Sequence, residues 1–272
     1  MTQSFSARVA SVVAERGPLC LGIDPHSALL RDWGLSDDAA GAREFGIRVV
    51  DAAATRIGIV KPQIAFFERH GSAGFAALEE VLAAARSAGL FTIADVKRGD
   101  VGSTVDAYGE AWLTPRSPLE ADAMTTVAYQ GFGSLDGVLR RASEHGKGVF
   151  VLAATSNPES TTVQALRSDA GETLAQHMVR AAARTAGTAG VVVGATVDLD
   201  AVGIERDTLA RIPVLAPGFG AQGAVLTDAP AIFGTAISAV LPTVSRSVLG
   251  AGPSELGAAI DRARGEVASW GV

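Results

Sequence analysis

Eight short apolar, β-prone runs recur along the chain with helix-length intervals between them, and this spacing limits the possible folds more than any other feature. The runs are residues 18–23, 57–61, 90–96, 123–128, 148–154, 190–195, 213–216 and 239–244. Most are apolar at odd and even positions alike, as parallel strands covered on both faces must be. The intervals carry the helical period. Phe75, Leu78 and Leu82 fall at i, i+3 and i+7 ahead of Gly89, which is placed to stop a helix. Near the C-terminus Leu256, Ala259, Ile260, Ala263, Val267 and Trp270 form one apolar stripe. Eight strand–helix units without a linker-like break predict an α/β fold, a closed (β/α)8 barrel of TIM-barrel type, as a single domain over residues 1–272. Hydrophobic residues make up 48% of the chain and charged residues 19%, enough for the large core such a barrel needs.

Charge and residue usage narrow the partners. The net charge of −6 gives no general attraction to nucleic acid or to an anionic membrane, so an anionic substrate needs positive charge placed locally. The one cysteine, Cys20, sits in the apolar run Leu19-Cys20-Leu21 and reads as a buried structural thiol; no intramolecular disulfide is possible, which fits a reducing compartment. The first 17 residues lack the apolar core of a signal peptide, and no run of about 18 apolar residues occurs, so a cytoplasmic protein is expected. His26, His70, His145 and His177 have no ligand-like spacing, and no metal site is expected.

In barrels of this type chemistry gathers at the C-terminal ends of the strands. The polar residues there are Asp24 after the first run, Lys61 at the end of the second, and Asp95, Lys97 and Asp100 around the end of the third. Thr155, Ser156 and Asn157 follow the fifth, and Arg246 follows the eighth. Asp95 and Lys97, two apart on a strand, can face the same side. Each opposite pair at ~4 Å and an effective dielectric of ~20 has a gross Coulomb energy of roughly 4 kcal/mol. A lysine flanked this way stays protonated, which suits a proton donor and opposes a Schiff-base nucleophile. Residues 218–223 match G-x-G-x-x-G. They lie after the seventh run, however, and lack the acidic residue about 20 positions on that a dinucleotide fold requires. A phosphate loop fits better, with freed backbone N–H groups, Gln222 and Arg246 as donors. Phe66 and Phe67 read as packing residues.

The run Asp95-Val-Lys97-Arg-Gly-Asp100-Val-Gly-Ser-Thr104 resembles the D-x-K-x-x-D-[IV]-x-x-T pattern of the orotidine 5′-phosphate decarboxylase family. Four further segments agree in order: Leu21-Gly-Ile-Asp24-Pro25, Val60-Lys61-Pro62-Gln63, Thr155-Ser156-Asn157-Pro158, and Pro217-Gly-x-Gly-Ala-Gln222-Gly223, the last three being similar to the longer bacterial branch. The resemblance spans essentially the whole chain. It implies decarboxylation of orotidine 5′-phosphate to uridine 5′-phosphate without metal or organic cofactor. It assigns proton donation at C6 to Lys97 and places Lys61, Asp95 and Asp100 in one alternating charge network. It also implies a homodimer with shared active sites, in which Asp100 and Thr104 enter from the partner chain. By the same resemblance Asp24 binds ribose, Ser156 the pyrimidine, and Gln222 and Arg246 the phosphate. Two stretches depart from the pattern: Ser245 precedes Arg246 where many members have glycine, and the segment after the fourth strand is less family-like.

Two alternatives remain open at this point. A sugar-phosphate decarboxylase of the same superfamily needs Mg2+ and a glutamate near the end of its second strand, where this chain has Lys61. A non-catalytic nucleotide-binding barrel would not need the intact Asp95, Lys97 and Asp100 set.

Overall fold

In the computed structural model, residues 3–271 are described. Eight parallel strands close into a barrel in sequence order: β1 (Cys20–Ile23), β2 (Ile59–Pro62), β3 (Phe91–Arg98), β4 (Ala123–Thr126), β5 (Gly148–Ala154), β6 (Ala189–Val193), β7 (Val214–Pro217) and β8 (Val240–Val244). Each pairs with the next, and β8 closes on β1 through Cys20 opposite Thr243 and Leu21 opposite Val244. The result is the expected single-domain (β/α)8 barrel. Strand limits differ from expectation by one to a few residues. The consequential case is β3, which runs on to Arg98 and so carries Lys97 within the strand.

Two apolar layers hold the barrel. Inside it, Cys20, Ile59, Phe91, Ile93, Phe150, Leu215 and Leu241 pack together; outside it, the strands' other faces meet the helices. The helix Gly71–Ser87 buries Leu78 and Leu82, and Gly89 beyond it takes φ +68°. In the last helix, Leu256–Ala268, the apolar stripe is buried as its spacing predicts. Trp270 extends that stripe and donates its indole N–H to the Leu226 carbonyl at 2.9 Å.

The polar-looking N-terminus forms a helix, Phe5–Arg16, that plugs the end of the barrel where the strands begin. Phe5 packs edge-on to Phe150 with ring centroids 5.4 Å apart, and a Cβ on Gly148 would lie 2.2 Å from the Phe5 ring. Glycine is needed there. Beside this plug the Arg8 guanidinium lies over the Phe91 ring and pairs with Asp122, whose second oxygen takes the Thr92 N–H at 2.9 Å. With one end plugged by a helix, the opposite end, where Asp24, Lys61, Asp95 and Lys97 sit, is the mouth available to a ligand.

Candidate active site

Asp95 is the centre of the mouth. It is 7% exposed and accepts four side-chain hydrogen bonds. Lys61 donates to Oδ2 at 2.7 Å and Gln63 to the same oxygen at 3.0 Å. Lys97 donates to Oδ1 at 2.5 Å and Thr125 to the same oxygen at 2.9 Å. A buried carboxylate is costly unless it is paired and its lone pairs are filled, and here both conditions are met. Burial alone would push the Asp95 carboxyl up, but Lys61 and Lys97 hold it well below the usual carboxylate range. Burial likewise opposes the Lys61 ammonium, and the charges of Asp95 and Asp24 outweigh it and raise Lys61 above an ordinary lysine. The two lysines differ in setting. Lys61 is 5% exposed, whereas the Lys97 side chain is 43% exposed and faces an open cavity.

That cavity has a volume of about 240 Å³. Its wall brings together Asp24, Lys61, Asp95, Lys97, Gln222 and Arg246 from β2, β3 and the segments that follow β1, β7 and β8. Asp24 receives the Ser245 hydroxyl on Oδ2, while its Oδ1 is buried without a partner among the described residues. An orphaned acceptor of this kind suits a hydroxyl donor from a ligand. In the loop after β7, Gly218, Gly220 and Gly223 take φ of +116°, +78° and +102°, so a side chain at any of them would be strained. Gln222 projects from this loop and accepts the Ser156 hydroxyl at 2.9 Å, which ties the loops after β5 and β7 together. Ser156 itself is exposed and reaches the cavity through Gln222.

Asp100 and Thr104 stand apart. Asp100 accepts its neighbour Val101's N–H at 2.8 Å, and Thr104 is exposed on the helix Gly102–Leu113; neither lines the cavity of its own chain. Between them Val101 is 54% exposed. The structure therefore assembles Lys61, Asp95 and Lys97 into one network and leaves Asp100 outside it within the same chain.

Three participants had no assigned role in the sequence reading. Gln63 follows Lys61 by two residues and so returns to the same side of β2's extension, a signal that was readable. Thr125 is a hydroxyl in a strand buried on both faces, which is a weaker signal. Ser245 was visible only as a departure from the family pattern. Cys20 is fully buried, and its thiol is pushed up to about 12 by that burial, as an inert structural cysteine requires.

Comparison with known proteins identifies the family. Residues 17–259 match the family described as orotidine 5′-phosphate decarboxylase / HUMPS. An orotidine 5′-phosphate decarboxylase of Salinispora tropica is 51% identical over 259 residues, covering 92% of this chain and 91% of that protein. One from Streptomyces coelicolor is 48% identical over 258 residues, covering 92% and 91%. Among solved structures, one from Streptomyces avermitilis superposes with a TM-score of 0.93 at 46% identity, covering 98% of this chain and 96% of that one. The orotidine monophosphate decarboxylase of Leishmania donovani gives 0.78 at 30% identity, covering 98% and 99%.

Proposed function

The chain belongs to the orotidine 5′-phosphate decarboxylase / HUMPS family, and from that premise we propose that Lys97 supplies the proton that replaces the departing carboxylate. The enzyme decarboxylates orotidine 5′-phosphate to uridine 5′-phosphate in pyrimidine biosynthesis. The observation that carries the proposal is a buried carboxylate, Asp95, held ionised between two ammonium groups, only one of which is substantially open to the cavity.

In the reaction the bond from C6 to the carboxylate carbon breaks and CO2 leaves. The electron pair stays in an sp2 orbital on C6 that the ring cannot delocalise. The Lys97 ammonium stabilises that charge as it develops and then transfers a proton from Nζ to C6; water restores the lysine. Asp95 fixes where the ammonium points, and Lys61 keeps Asp95 charged. Asp95 also opposes a second carboxylate nearby, which favours its loss as neutral CO2. Asp24, with its orphaned Oδ1, is the acceptor for ribose. Gln222, Arg246 and the N–H groups of the glycine loop hold the phosphate, and Ser156 meets the pyrimidine. Binding energy from the phosphate can be spent on organising the reacting end. Neither metal nor organic cofactor enters these steps.

Asp100 and Thr104, outside their own cavity and flanking exposed Val101, are best used by a second subunit, which makes the enzyme a homodimer with shared sites. Its substrate is a small nucleotide, with no nucleic-acid partner. No helix among the described residues is long and apolar enough to cross a membrane, and we place the enzyme in the cytoplasm. The direct test is the fall in ultraviolet absorbance on mixing the protein with orotidine 5′-phosphate in EDTA. Turnover in EDTA is the expected result, and activity that disappears in EDTA and returns with Mg2+ would overturn the cofactor-free reading. Lys97→Ala should lower kcat by at least the roughly 10²–10⁴-fold typical of general acid catalysis. A loss under about tenfold would exclude Lys97 as the donor.

A further inference from the structure

Lys97 sits in a backbone conformation that a lysine rarely adopts, with φ +47°. The reason lies in how β3 meets β4. Ala94 is opposite Met124, and pairing resumes at Arg98 opposite Thr126, so Asp95, Val96 and Lys97 together face the single residue Thr125. This bulge aims the strand's charged residues into the mouth, a recognised use of bulges beside active sites. It also interrupts the regular ladder at Lys97, whose N–H needs another acceptor.

The Thr125 hydroxyl is that acceptor. Its Oγ1 takes the Lys97 N–H at 2.9 Å and donates its own hydrogen to Asp95 Oδ1 at 2.9 Å. The same Asp95 oxygen receives the Lys97 ammonium. One hydroxyl therefore grips both ends of the lysine, its main chain directly and its charged tip through the carboxylate. Thr125 is 1% exposed, so bulk water is poorly placed to substitute for it.

We propose that Thr125 is the positioning residue for the proton donor: its hydroxyl holds Lys97 in the left-handed conformation and sets the Asp95 oxygen against which the ammonium rests. The proposal rests on the reading of Lys97 as proton donor. A positioning role of this kind acts on the reacting end alone, because Asp24, Gln222 and Arg246 bind the rest of the nucleotide from other strands.

Thr125→Val removes the hydroxyl and keeps the side-chain shape; Thr125→Ser keeps the hydroxyl and removes a methyl. Steady-state kinetics with orotidine 5′-phosphate should show kcat for Thr125→Val down by about 10- to 100-fold, as misplacement of a reacting group typically gives, with KM within about threefold of the unaltered enzyme. Thr125→Ser should recover kcat to within about threefold. A Thr125→Val enzyme with unchanged kcat would overturn the proposal, as would equal losses in both variants, which would mean a packing role only. If Thr125→Val does not fold, the Lys97 amide in the unaltered protein decides. Slow hydrogen exchange there supports the grip, and exchange as fast as in an open loop overturns it. The Lys97→Ala enzyme, run in the same assay, separates the two ideas. If it keeps its activity, the donor assignment fails; if it is inactive while Thr125→Val is unimpaired, only the positioning role fails.

Discussion

The Ser245 hydroxyl donates to Asp24 Oδ2 at 2.5 Å across the seam where β8 meets β1. A Cβ on Gly22 would lie 2.9 Å from the Ser245 Cβ and 3.2 Å from Asp24 Oδ2, so the glycine in β1 makes room for this contact. The departure from the usual glycine before Arg246 thus turns inward and orders the carboxylate assigned to ribose. One oxygen of Asp24 is occupied, and the buried Oδ1 is left for a ligand.

Ser245→Ala should therefore weaken substrate binding more than chemistry. Losing one hydrogen bond to a carboxylate that must stay ordered is worth about 1 kcal/mol, a rise in KM of roughly fivefold. Steady-state kinetics should show kcat changed by less than about twofold, since the contact joins the ends of β8 and β1 while Lys97, the proposed proton donor, is carried by β3. An unchanged KM would show that the contact orders nothing the substrate uses.

Stability should depend on pH in a direction set by the Asp95–Lys61 pair. The Asp95 carboxyl is depressed in the folded protein from an ordinary value of 3.8, so the unfolded chain binds its proton first as pH falls. The stabilisation is present above about pH 4 and is lost progressively as pH falls toward the lower folded value. Lys61 is raised from 10.5, so its contribution is present below that pH and is lost as pH rises beyond it. Between these limits the pair contributes evenly. Urea unfolding at a series of pH values should show Asp95→Asn flattening the acid side of the stability profile relative to the unaltered protein. An unchanged acid slope would mean that Asp95 is not among the groups driving acid unfolding.

The barrel was legible because its determinants are local and periodic: eight apolar runs, and a stripe such as Leu256 to Val267 that can bury only one face. Asp95 and Lys97 were legible by residue type and spacing, but strand alternation alone does not bring their charged groups together. The two side chains converge through a bulge with Lys97 at positive φ, not through a regular strand end. A bulge depends on the neighbouring strand's register, which one strand's sequence does not record. Thr125 was hidden for the same reason, since its role exists only opposite that bulge. The N-terminal helix was hidden by its mixed polarity; among its residues only Phe5 and Val9 are buried, and Arg8 lies over the Phe91 ring and pairs with Asp122 beside the plug.

Arg246 is exposed at the rim of the cavity, directly after Ser245. If it holds the phosphate, Arg246→Ala should reduce kcat/KM for orotidine 5′-phosphate far more than for orotidine, which has no group for the guanidinium to grip. The measurement is the ratio of the two losses. A loss of roughly 10- to 100-fold confined to the nucleotide matches one charge-assisted contact, and equal losses on both substrates would assign Arg246 a structural role in the β8 loop.

The position of Asp100 outside its own cavity leads to the most discriminating test. If Asp100 of one chain completes the site built on Lys97 of the other, each site draws one group from each subunit. Lys97→Ala and Asp100→Ala homodimers should both be nearly inactive, because every site in each lacks one group. A mixed dimer is different: one of its sites lacks both groups, and the other has Lys97 from one chain and Asp100 from its partner. Random re-association of equal amounts makes about half the dimers mixed, each with one intact site of two, so roughly a quarter of the unaltered activity should return on mixing. Native mass spectrometry gives the mixed fraction independently of activity. Mixed dimers without recovered activity would mean that Asp100 serves the site of its own chain, and the rim position would then have to change when substrate binds. A chain that remains monomeric at assay concentrations with full activity would remove the shared site altogether.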